Sequence, residues 1–416
     1  MKVTRDERYA ERLPAGGAGR SRGSLIAAAV ALAGGSLFGL ASAASAAPST
    51  LYVWTKAKPT NLGTSCLTAR YSSIEAAIAA AAPGSTVVVC NGTYFGQVTV
   101  TKPVTLRGED ASIIAVGHDN GVVVPVPGAT VEGFTIKGAL GEGILVVGKP
   151  GAPVSGVTIK SNVVEGNDLG NPTGAPIKSS PYPECKAAGP VPGDCGEGIH
   201  LMTVTNSLVE DNIVTDNSGG ILLSDELGPT AHNRIISNTV EYNTLDCGIT
   251  VPSHSTKGYQ KGTLQPAAGG VYDNLIEHNT IVGNGVAGQG AGVLLAAGLL
   301  GGAVYDNVVE YNTISGNGQA GVTVHAHLPG VYLNGNVIEH NTIGLNNLDG
   351  DFDFSPHVDM KPTGVLVATA GSPISITVAD NSISSDAVGI WTTGAVKVSG
   401  TGTNSFLSVA VPSAEG

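Results

Sequence analysis

The sequence predicts an all-β solenoid, a fold in which short strands recur along one axis. The first observation is a motif, Asn-x-(Val/Ile)-x-x-(Asn/Asp), that recurs at seven positions. Its copies begin at Asn162, Asn212, Asn238, Asn279, Asn312, Asn341 and Asn381. The second observation is a glycine followed by alternating apolar residues, with a closest spacing of 22 residues between Gly198 and Gly220. Self-similarity at such a period is the signature of stacked coils.

Each coil is predicted to contain two or three short strands. The recurring glycines are Gly143, Gly198, Gly220, Gly248, Gly292, Gly321, Gly364 and Gly389. The residues one and three positions after each glycine are mostly Ile, Leu or Val, and we expect them to face inward, with positions two and four facing outward. Asparagine suits the turns because it tolerates the left-handed conformation, and stacked amides can hydrogen-bond from coil to coil.

Composition excludes several classes of protein. Glycine accounts for 59 of 416 residues without a period of three, which excludes collagen, and the chain is 42% hydrophobic, unlike disordered acidic chains. After residue 46 only Arg70, Arg107 and Arg234 remain, and acidic residues outnumber basic ones. A nucleic-acid partner is therefore excluded, and an acidic polysaccharide would be repelled at long range unless a bound cation intervenes.

Residues 1–46 are typical of a secretory signal peptide. Six Lys and Arg residues within 1–24 precede an apolar run, residues 25–40, and the small-residue segment Ala44-Ser45-Ala46. The apolar run is shorter than the roughly 20 residues of a spanning helix. We therefore predict a secreted, extracellular protein and exclude an integral membrane protein.

The remaining chain is predicted to begin with a cap and first coils, residues 47–110. One helix is expected over residues 73–82, capped by a serine and stopped by Pro83-Gly84. The solenoid then spans residues 111–410, and residues 411–416 form a C-terminal tail. The segments 168–197, 254–270 and 347–363 interrupt the repeat, and we expect them to rise on one side as the walls of a groove.

Three consecutive segments resemble a known group of proteins. They are Tyr-Ser-Ser-Ile-Glu-Ala-Ala-Ile at 71–78, Pro-Gly-Ser-Thr-Val-Val-Val-Cys-Asn-Gly-Thr-Tyr at 83–94, and Val-Thr-Val-Thr-Lys-Pro-Val-Thr-Leu-Arg-Gly at 98–108. With the repeats, they resemble the pectin-lyase-like superfamily, including its NosD-like and carbohydrate-active members, over residues 65–410. The resemblance implies a single-stranded right-handed parallel β-helix with an N-terminal capping helix. The group includes lyases, hydrolases, epimerases, transferases and non-catalytic proteins.

Stacking of the coils brings ionisable residues together. Six positions after the glycine, Glu226 and His254 occupy successive coils, and His327 follows two coils beyond His254, with Gly298 between them. Asp225, His325 and His200 lie nearby in this alignment. A carboxylate beside an imidazole is suited to general acid–base catalysis, so these six residues are the catalytic candidates. The alternatives are solvated turn residues, or a metal held by His325, His327 and His254.

Other residues are candidates for binding. Lys257 and Tyr259 in the 254–270 insertion, and Trp391 in the last coil, could contact a sugar. The alternating Asp349, Asp351 and Asp353 could bind Ca²⁺, although the EF-hand pattern is not met. An exposed acidic loop is the other interpretation.

Five cysteines fit an oxidising compartment. We expect disulfides Cys66–Cys90 and Cys185–Cys195, although four cysteines permit three pairings. Cys247 is then expected to be a buried thiol.

These observations favour a secreted carbohydrate-active β-helix enzyme of the lyase, hydrolase or epimerase type that uses the Glu/His cluster. One alternative is a non-catalytic NosD-like cell-surface or accessory protein that binds carbohydrate. Another is an enzyme acting on a small neutral molecule that binds an outward apolar strip. That strip comprises Met202, Leu222, Leu294 and Leu366.

Overall fold

A computed structural model describes residues 47–168, 196–287, 290–347 and 362–416. The predicted signal segment, nearly all of the 168–197 insertion with Cys185 and Cys195, and the predicted calcium ligands Asp349, Asp351 and Asp353 lie outside these residues. The predicted all-β, single-stranded parallel β-helix is confirmed, because each coil pairs in parallel with the next. Within the described ranges, no helix has the length and apolar character of a membrane-spanning segment.

Five successive coils, those whose long strands run from Ile144–Val147 to Val293–Ala297, each contain one long strand, a two-residue strand and two three-residue strands. The long strands form one sheet of eleven, here called the long-strand sheet. Its members are Val98–Thr99, Val122–Val124, Ile144–Val147, Glu197–Met202, Gly219–Ser224, Ile249–Ser253, Val293–Ala297, Val322–Ala326, Thr363–Thr369, Val388–Thr393 and Val411–Glu415. The last member pairs with Val388–Thr393, so the residues predicted as a tail continue the sheet instead. Val411 pairs with Val388, and Ser413 with Ile390, in this register.

The other two parallel sheets complete the coil. A sheet of 21 strands contains five N-terminal strands and eight pairs of shorter ones. Its strands are Thr50–Val53, Thr86–Val89, Gly92–Phe95, Thr105–Ile114, Thr130–Lys137, Thr158–Lys160, Val163–Glu165, Leu208–Glu210, Ile213–Thr215, Arg234–Ile236, Thr239–Glu241, Leu275–Glu277, Thr280–Val282, Val308–Glu310, Thr313–Ser315, Val337–Glu339, Thr342–Gly344, Ile374–Ala379, Ser382–Ser384, Val396–Ser399 and Ser405–Leu407. The five-stranded sheet consists of Val154–Ser155, Val204–Thr205, Thr230–Ala231, Val271–Tyr272 and Val304–Tyr305. Tyr259–Gln260 and Thr263–Leu264 form an antiparallel hairpin within the 254–270 insertion.

The N-terminal helix spans Ile74–Ala80, inside the predicted range. Ser73 caps it by accepting a hydrogen bond from the Ala76 amide at 3.2 Å. The Nζ atom of Lys102 donates to the carbonyl oxygens of Ala79 and Ala81 at the other end. Two 3₁₀ helices, Cys66–Thr68 and Thr401–Thr403, complete the helical content of the described residues. The predicted Cys66–Cys90 disulfide is present, and Cys247 is buried as expected.

The recurring glycines mark a place where a coil has no room for a side chain. Their φ angles are ordinary, but a Cβ atom at Gly220 would overlap the carbonyl of Gly248 and the side chain of Val240. The residues that follow, such as Ile221 and Leu223, are fully buried in the core. Glycine therefore allows the chain to approach the next coil closely at the start of the long strand.

The predicted asparagine stacks are present. Asn238 donates to Asn279 at 3.0 Å, and Asn279 donates to Asn312 at 3.0 Å. The second polar residues of the motif form a parallel ladder, and Asn233, Asn274, Asn307 and Asn336 form a third ladder that was not predicted. The left-handed residue is the one before the asparagine, such as Ser237 with φ 55°. The asparagine itself stays in register so that its amide can reach both adjacent coils.

Candidate functional site

The ends of three successive long strands bring the main candidates together. His200 lies on Glu197–Met202, Ser224 ends Gly219–Ser224, and Glu226 and His254 each lie just beyond the end of their strand. The register pairs Met202 with Ser224 across the first two of these strands. Because the strands are parallel, residues that follow their carboxyl ends meet on one side of the coil stack.

Four side-chain contacts link these residues into one chain. The Nδ1 atom of His254 lies 2.7 Å from Oε1 of Glu226, as the column alignment predicts for neighbours. The Ser224 hydroxyl donates to Oε2 of Glu226 at 2.6 Å, and His200 Nε2 lies 2.7 Å from the same hydroxyl. His200 Nδ1 lies 3.1 Å from Oε1 of Glu142. We call this set, Glu142, His200, Ser224, Glu226 and His254, the polar chain.

Hydrogen-bond directions within the polar chain follow from the single proton of Ser224. That proton goes to the Glu226 carboxylate, so the serine oxygen accepts from the Nε2–H of His200. Exposure rises along the chain, from 0% for the His200 side chain to 11% for Glu226 and 21% for His254. His254 is therefore the member nearest to solvent.

The protonation of Glu226 is set by its neighbours. Burial raises the pKa of this carboxyl, but the hydrogen bond and charge of His254, the charge of His200 and the Ser224 hydroxyl together lower it to about 2. Glu226 is thus a carboxylate at neutral pH. A carboxylate that accepts from Nδ1 orients the imidazole and stabilises its protonated form.

Asp225 has different surroundings from Glu226. It is completely buried and accepts hydrogen bonds from the Ser253 hydroxyl and from the amides of His254, Ser255 and Gly270, at 2.6 to 3.0 Å. Burial, and then the charge of Glu226, raise its pKa to about 6. These donors lie at the start and the end of the 254–270 insertion, so Asp225 fixes the base of that loop.

His325 and His327 lie further along the solenoid. Their rings stack with centroids 3.5 Å apart, His325 being buried and His327 exposed. The register places Ser253 and Ala326 two strands apart, which corresponds to about 10 Å between His254 and His327. Among the described residues, the ligand atoms of His254, His325 and His327 do not all lie within 4.8 Å of one another, so the structure does not bring these histidines together as the predicted metal site.

The predicted binding residues are dispersed. Tyr259 packs against Tyr332, with ring centroids 5.2 Å apart, and lines a surface pocket of about 550 Å³ together with Lys261 and Leu300. Lys257 is exposed on the same insertion, close in sequence to His254. Trp391 lies four strands beyond the strand of His254, about 19 Å along the stack. Of the three, only Lys257 and Tyr259 belong to the insertion that begins at His254.

Most of the outward apolar strip is closed to solvent. Met202, Leu222 and Leu366 are 1%, 0% and 3% exposed, and only Leu294 is partly exposed. The alternation of the strand correctly predicts that they point away from the core, but not that other groups cover them. A neutral ligand has little access to this strip.

The residues that sequence reasoning missed are Glu142, Glu197 and Ser224. Glu142 and Glu197 each precede a recurring glycine in consecutive coils, and this shared position is the signal that could have identified them. Their carboxylate oxygens and a ring nitrogen of His200 lie within 4.8 Å of one another. A buried cluster of two carboxylates and one imidazole therefore lies at the inner end of the polar chain.

Comparison with known proteins gives the same fold. The family described as a right-handed β-helix region matches residues 95–265 and 259–405. The A-module of the mannuronan C-5 epimerase AlgE4 from Azotobacter vinelandii is 17% identical, with a TM-score of 0.52 over 82% of this chain and 92% of that one. An alginate lyase from Paenibacillus sp. str. FPU-7 is 12% identical, with a TM-score of 0.45 over 84% and 99%. Pectate lyase Pel9A is 14% identical, with a TM-score of 0.35 over 90% and 80%.

The family match confirms the predicted relationship to right-handed parallel β-helix proteins, and with it the right-handed winding of the coils. No curated protein sequence matches the chain.

Proposed function

Because the chain belongs to the right-handed β-helix family, we propose that it is a secreted carbohydrate-active enzyme in which His254 and Glu226 perform proton transfer. The observation that carries this proposal is the 2.7 Å contact between His254 Nδ1 and the Glu226 carboxylate. The carboxylate holds one ring nitrogen as a donor, so Nε2 is the nitrogen that would exchange a proton with a substrate.

The favoured reaction removes the proton from the carbon next to the carboxylate of a uronate. His254 would accept this proton, and the carboxylate of Glu226 would stabilise the resulting imidazolium. A lyase and an epimerase share this step; the lyase then expels the leaving group, whereas the epimerase returns a proton to the other face of the carbon. The epimerase with the same fold acts on mannuronan, a polymer of uronate residues.

A hydrolase fits the contacts less well. Glycoside hydrolysis commonly needs two carboxyl groups on either side of the bond, one of them protonated. Glu226 is a carboxylate paired with His254, and Asp225 accepts three hydrogen bonds from the 254–270 insertion and a fourth from Ser253 just before it. Neither residue is placed as a general acid.

A uronate polymer must also overcome repulsion from a chain of net charge −12. The exposed Lys257 and Lys261 lie in the insertion that begins at His254 and give that loop positive charge. They would offset the carboxylate of the bound sugar, which makes proton removal from the neighbouring carbon easier.

The test is product detection on a panel of neutral and uronate polysaccharides, with and without EDTA. Unsaturated-uronate absorbance reports a lyase, deuterium incorporation from D₂O without cleavage reports an epimerase, and saturated reducing ends report a hydrolase. We expect His254→Asn and Glu226→Gln to lower the rate by about 10²- to 10⁴-fold. His232→Asn, at an exposed histidine of a different turn, is the matched control.

Unchanged activity in His254→Asn and Glu226→Gln would overturn the assignment of these residues. Carbohydrate binding without turnover on any polymer would support the non-catalytic alternative instead.

A further inference from the structure

The inner end of the polar chain has the composition of a metal site. Glu142, Glu197 and His200 place two carboxylate oxygens and one imidazole nitrogen within 4.8 Å of one another. Glu197 and His200 are completely buried, and Glu142 is 7% exposed. Ionised groups at such depth are stable only with a compensating charge and well-placed hydrogen bonds.

The backbone fixes the three groups in this arrangement. Glu197 and His200 share one strand, and the preceding coil supplies Glu142 just before its own strand, with Ile144 opposite Ile199. The Glu197 amide donates to Oε2 of Glu142 at 2.9 Å, which turns Oε1 toward His200 Nδ1 at 3.1 Å. Two ligand atoms bound to one ion at about 2.1 Å lie roughly 3.0 to 3.4 Å apart, so this separation suits neighbouring ligands.

The second ring nitrogen of His200 is held by a residue outside this cluster. Nε2 is held by the Ser224 hydroxyl, which is itself held by the Glu226 carboxylate. A histidine that ligates a metal through one nitrogen typically donates its other N–H to such a partner, which fixes the tautomer and the ring orientation. Here the Nε2–H contact leaves Nδ1 directed at Glu142.

We propose that Glu142, Glu197 and His200 bind one divalent transition-metal ion, of the Zn²⁺ or Mn²⁺ class. The ion would balance the charge of two buried carboxylates. A donor set of two oxygens and one imidazole nitrogen suits these ions, whereas Ca²⁺ and Mg²⁺ prefer oxygen alone. The site shares no residue with the predicted calcium ligands Asp349, Asp351 and Asp353, and it does not depend on carbohydrate chemistry.

The experiment measures metal directly. Full-length protein without a histidine tag is stripped with a chelator, dialysed to equilibrium against ZnCl₂ or MnCl₂, and analysed by elemental mass spectrometry. We expect about one equivalent of one of these ions in the wild type and at least a tenfold loss of affinity in Glu197→Gln and His200→Gln. Glu339→Gln and His340→Asn change the same residue types on a different face and should retain the ion.

Circular dichroism and thermal unfolding of each variant separate lost binding from lost folding. If His200→Gln or Glu197→Gln does not fold, Glu142→Gln replaces it. Absence of bound metal in the folded wild type overturns the proposal, and so does undiminished binding in the folded variants. Neither result affects the His254–Glu226 assignment, which is tested by turnover.

Discussion

The Nδ1 atom of His254 lies 2.7 Å from Oε1 of Glu226, although 28 residues separate them. The contact exists because Ile221 is paired with Ile249, so each residue follows the end of its strand by a similar length of chain. The polar chain thus takes its members from consecutive coils. Its geometry depends on the register of the long-strand sheet more than on any local turn.

Ser224 is predicted to position the pair. Ser224→Ala removes the only hydroxyl between His200 and Glu226, and it leaves the buried Nε2–H of His200 without its acceptor. We expect the free energy of unfolding to fall by about 1–3 kcal/mol. In an active enzyme, kcat should fall at least tenfold with little change in KM, because Glu226 loses an orienting donor while the exposed binding residues are unchanged.

Ser382→Ala, at an exposed serine of the same solenoid, is the control for Ser224→Ala. A Ser224→Ala enzyme with wild-type kcat, KM and pH profile would show that the polar chain is structural only.

Asp225 is predicted to stabilise the base of the 254–270 insertion. Asp225→Asn keeps the shape but replaces one acceptor oxygen with an NH₂ group that faces donors, either the Ser253 hydroxyl and the Gly270 amide or the His254 and Ser255 amides. We expect a loss of about 2–4 kcal/mol in the free energy of unfolding. The Ser255 and Gly270 amides should also exchange hydrogen faster, as measured by mass spectrometry.

Asp211→Asn is the matched control, because Asp211 is exposed and its φ of 54° is readily adopted by asparagine. Unchanged exchange of the two amides in Asp225→Asn would contradict the anchoring role.

Protonation of Glu226 is predicted to lower the stability of the fold at acid pH. Its pKa falls from 4.5 to about 2 on folding, because the His254 hydrogen bond and charge outweigh burial. The folded state therefore holds this carboxylate more tightly than the unfolded chain does. The resulting stabilisation is fully present above about pH 4.5 and is lost as the pH falls through 2.

Thermal unfolding of the wild type and Glu226→Gln between pH 2 and 7 tests this dependence. The Tm advantage of the wild type should be largest above pH 4.5 and should shrink toward pH 2. A Tm difference that is constant over this range would show that Glu226 is not an ion-paired carboxylate.

Much of the scaffold could be predicted from the sequence because stacked coils repeat their chemistry. Asn238, Asn279 and Asn312 recur with the same apolar neighbours, so the ladder is visible in the motif. The third ladder escaped prediction since Asn233 and Asn274 follow strands of only two residues, which are too short to show a pattern. A periodic pattern therefore predicts only those strands that are long enough to show the alternation of apolar and polar residues.

The candidate site was predictable only in part. Column alignment brings Glu226 beside His254, but Glu142 stands before its glycine, outside the positions that the alignment compares. Alternation gives the direction of a side chain, not the groups that cover it, so His200 and Leu222 were expected to be exposed although both are buried. The connection through Ser224 depends on rotamers, which the sequence does not encode in any visible pattern.

One asparagine ladder ends, among the described residues, with an aspartate in place of an asparagine. Asp386 occupies the position of an asparagine, and its Oδ1 accepts from the Asn346 amide at 2.7 Å. Its Oδ2 is buried without a hydrogen-bond partner among the described residues. Burial raises the pKa of Asp386 from 3.8 to about 6, against the effect of the Asn346 hydrogen bonds.

Asp386→Asn should therefore stabilise the protein. The fold accepts Asp386 more readily when it is protonated than when it is ionised. The wild type therefore incurs no cost from this group below about pH 3.8, and it loses stability as the pH rises through 6. The variant avoids this loss, retains an acceptor for Asn346, and gains an amide like those that donate to backbone carbonyls at the preceding rungs, as Asn346 does to Ile314. We expect a gain of about 1–3 kcal/mol at pH 8 that disappears near pH 4. Denaturant unfolding at the two pH values measures it, and a variant less stable than the wild type at pH 8 would show that the carboxylate has a stabilising partner.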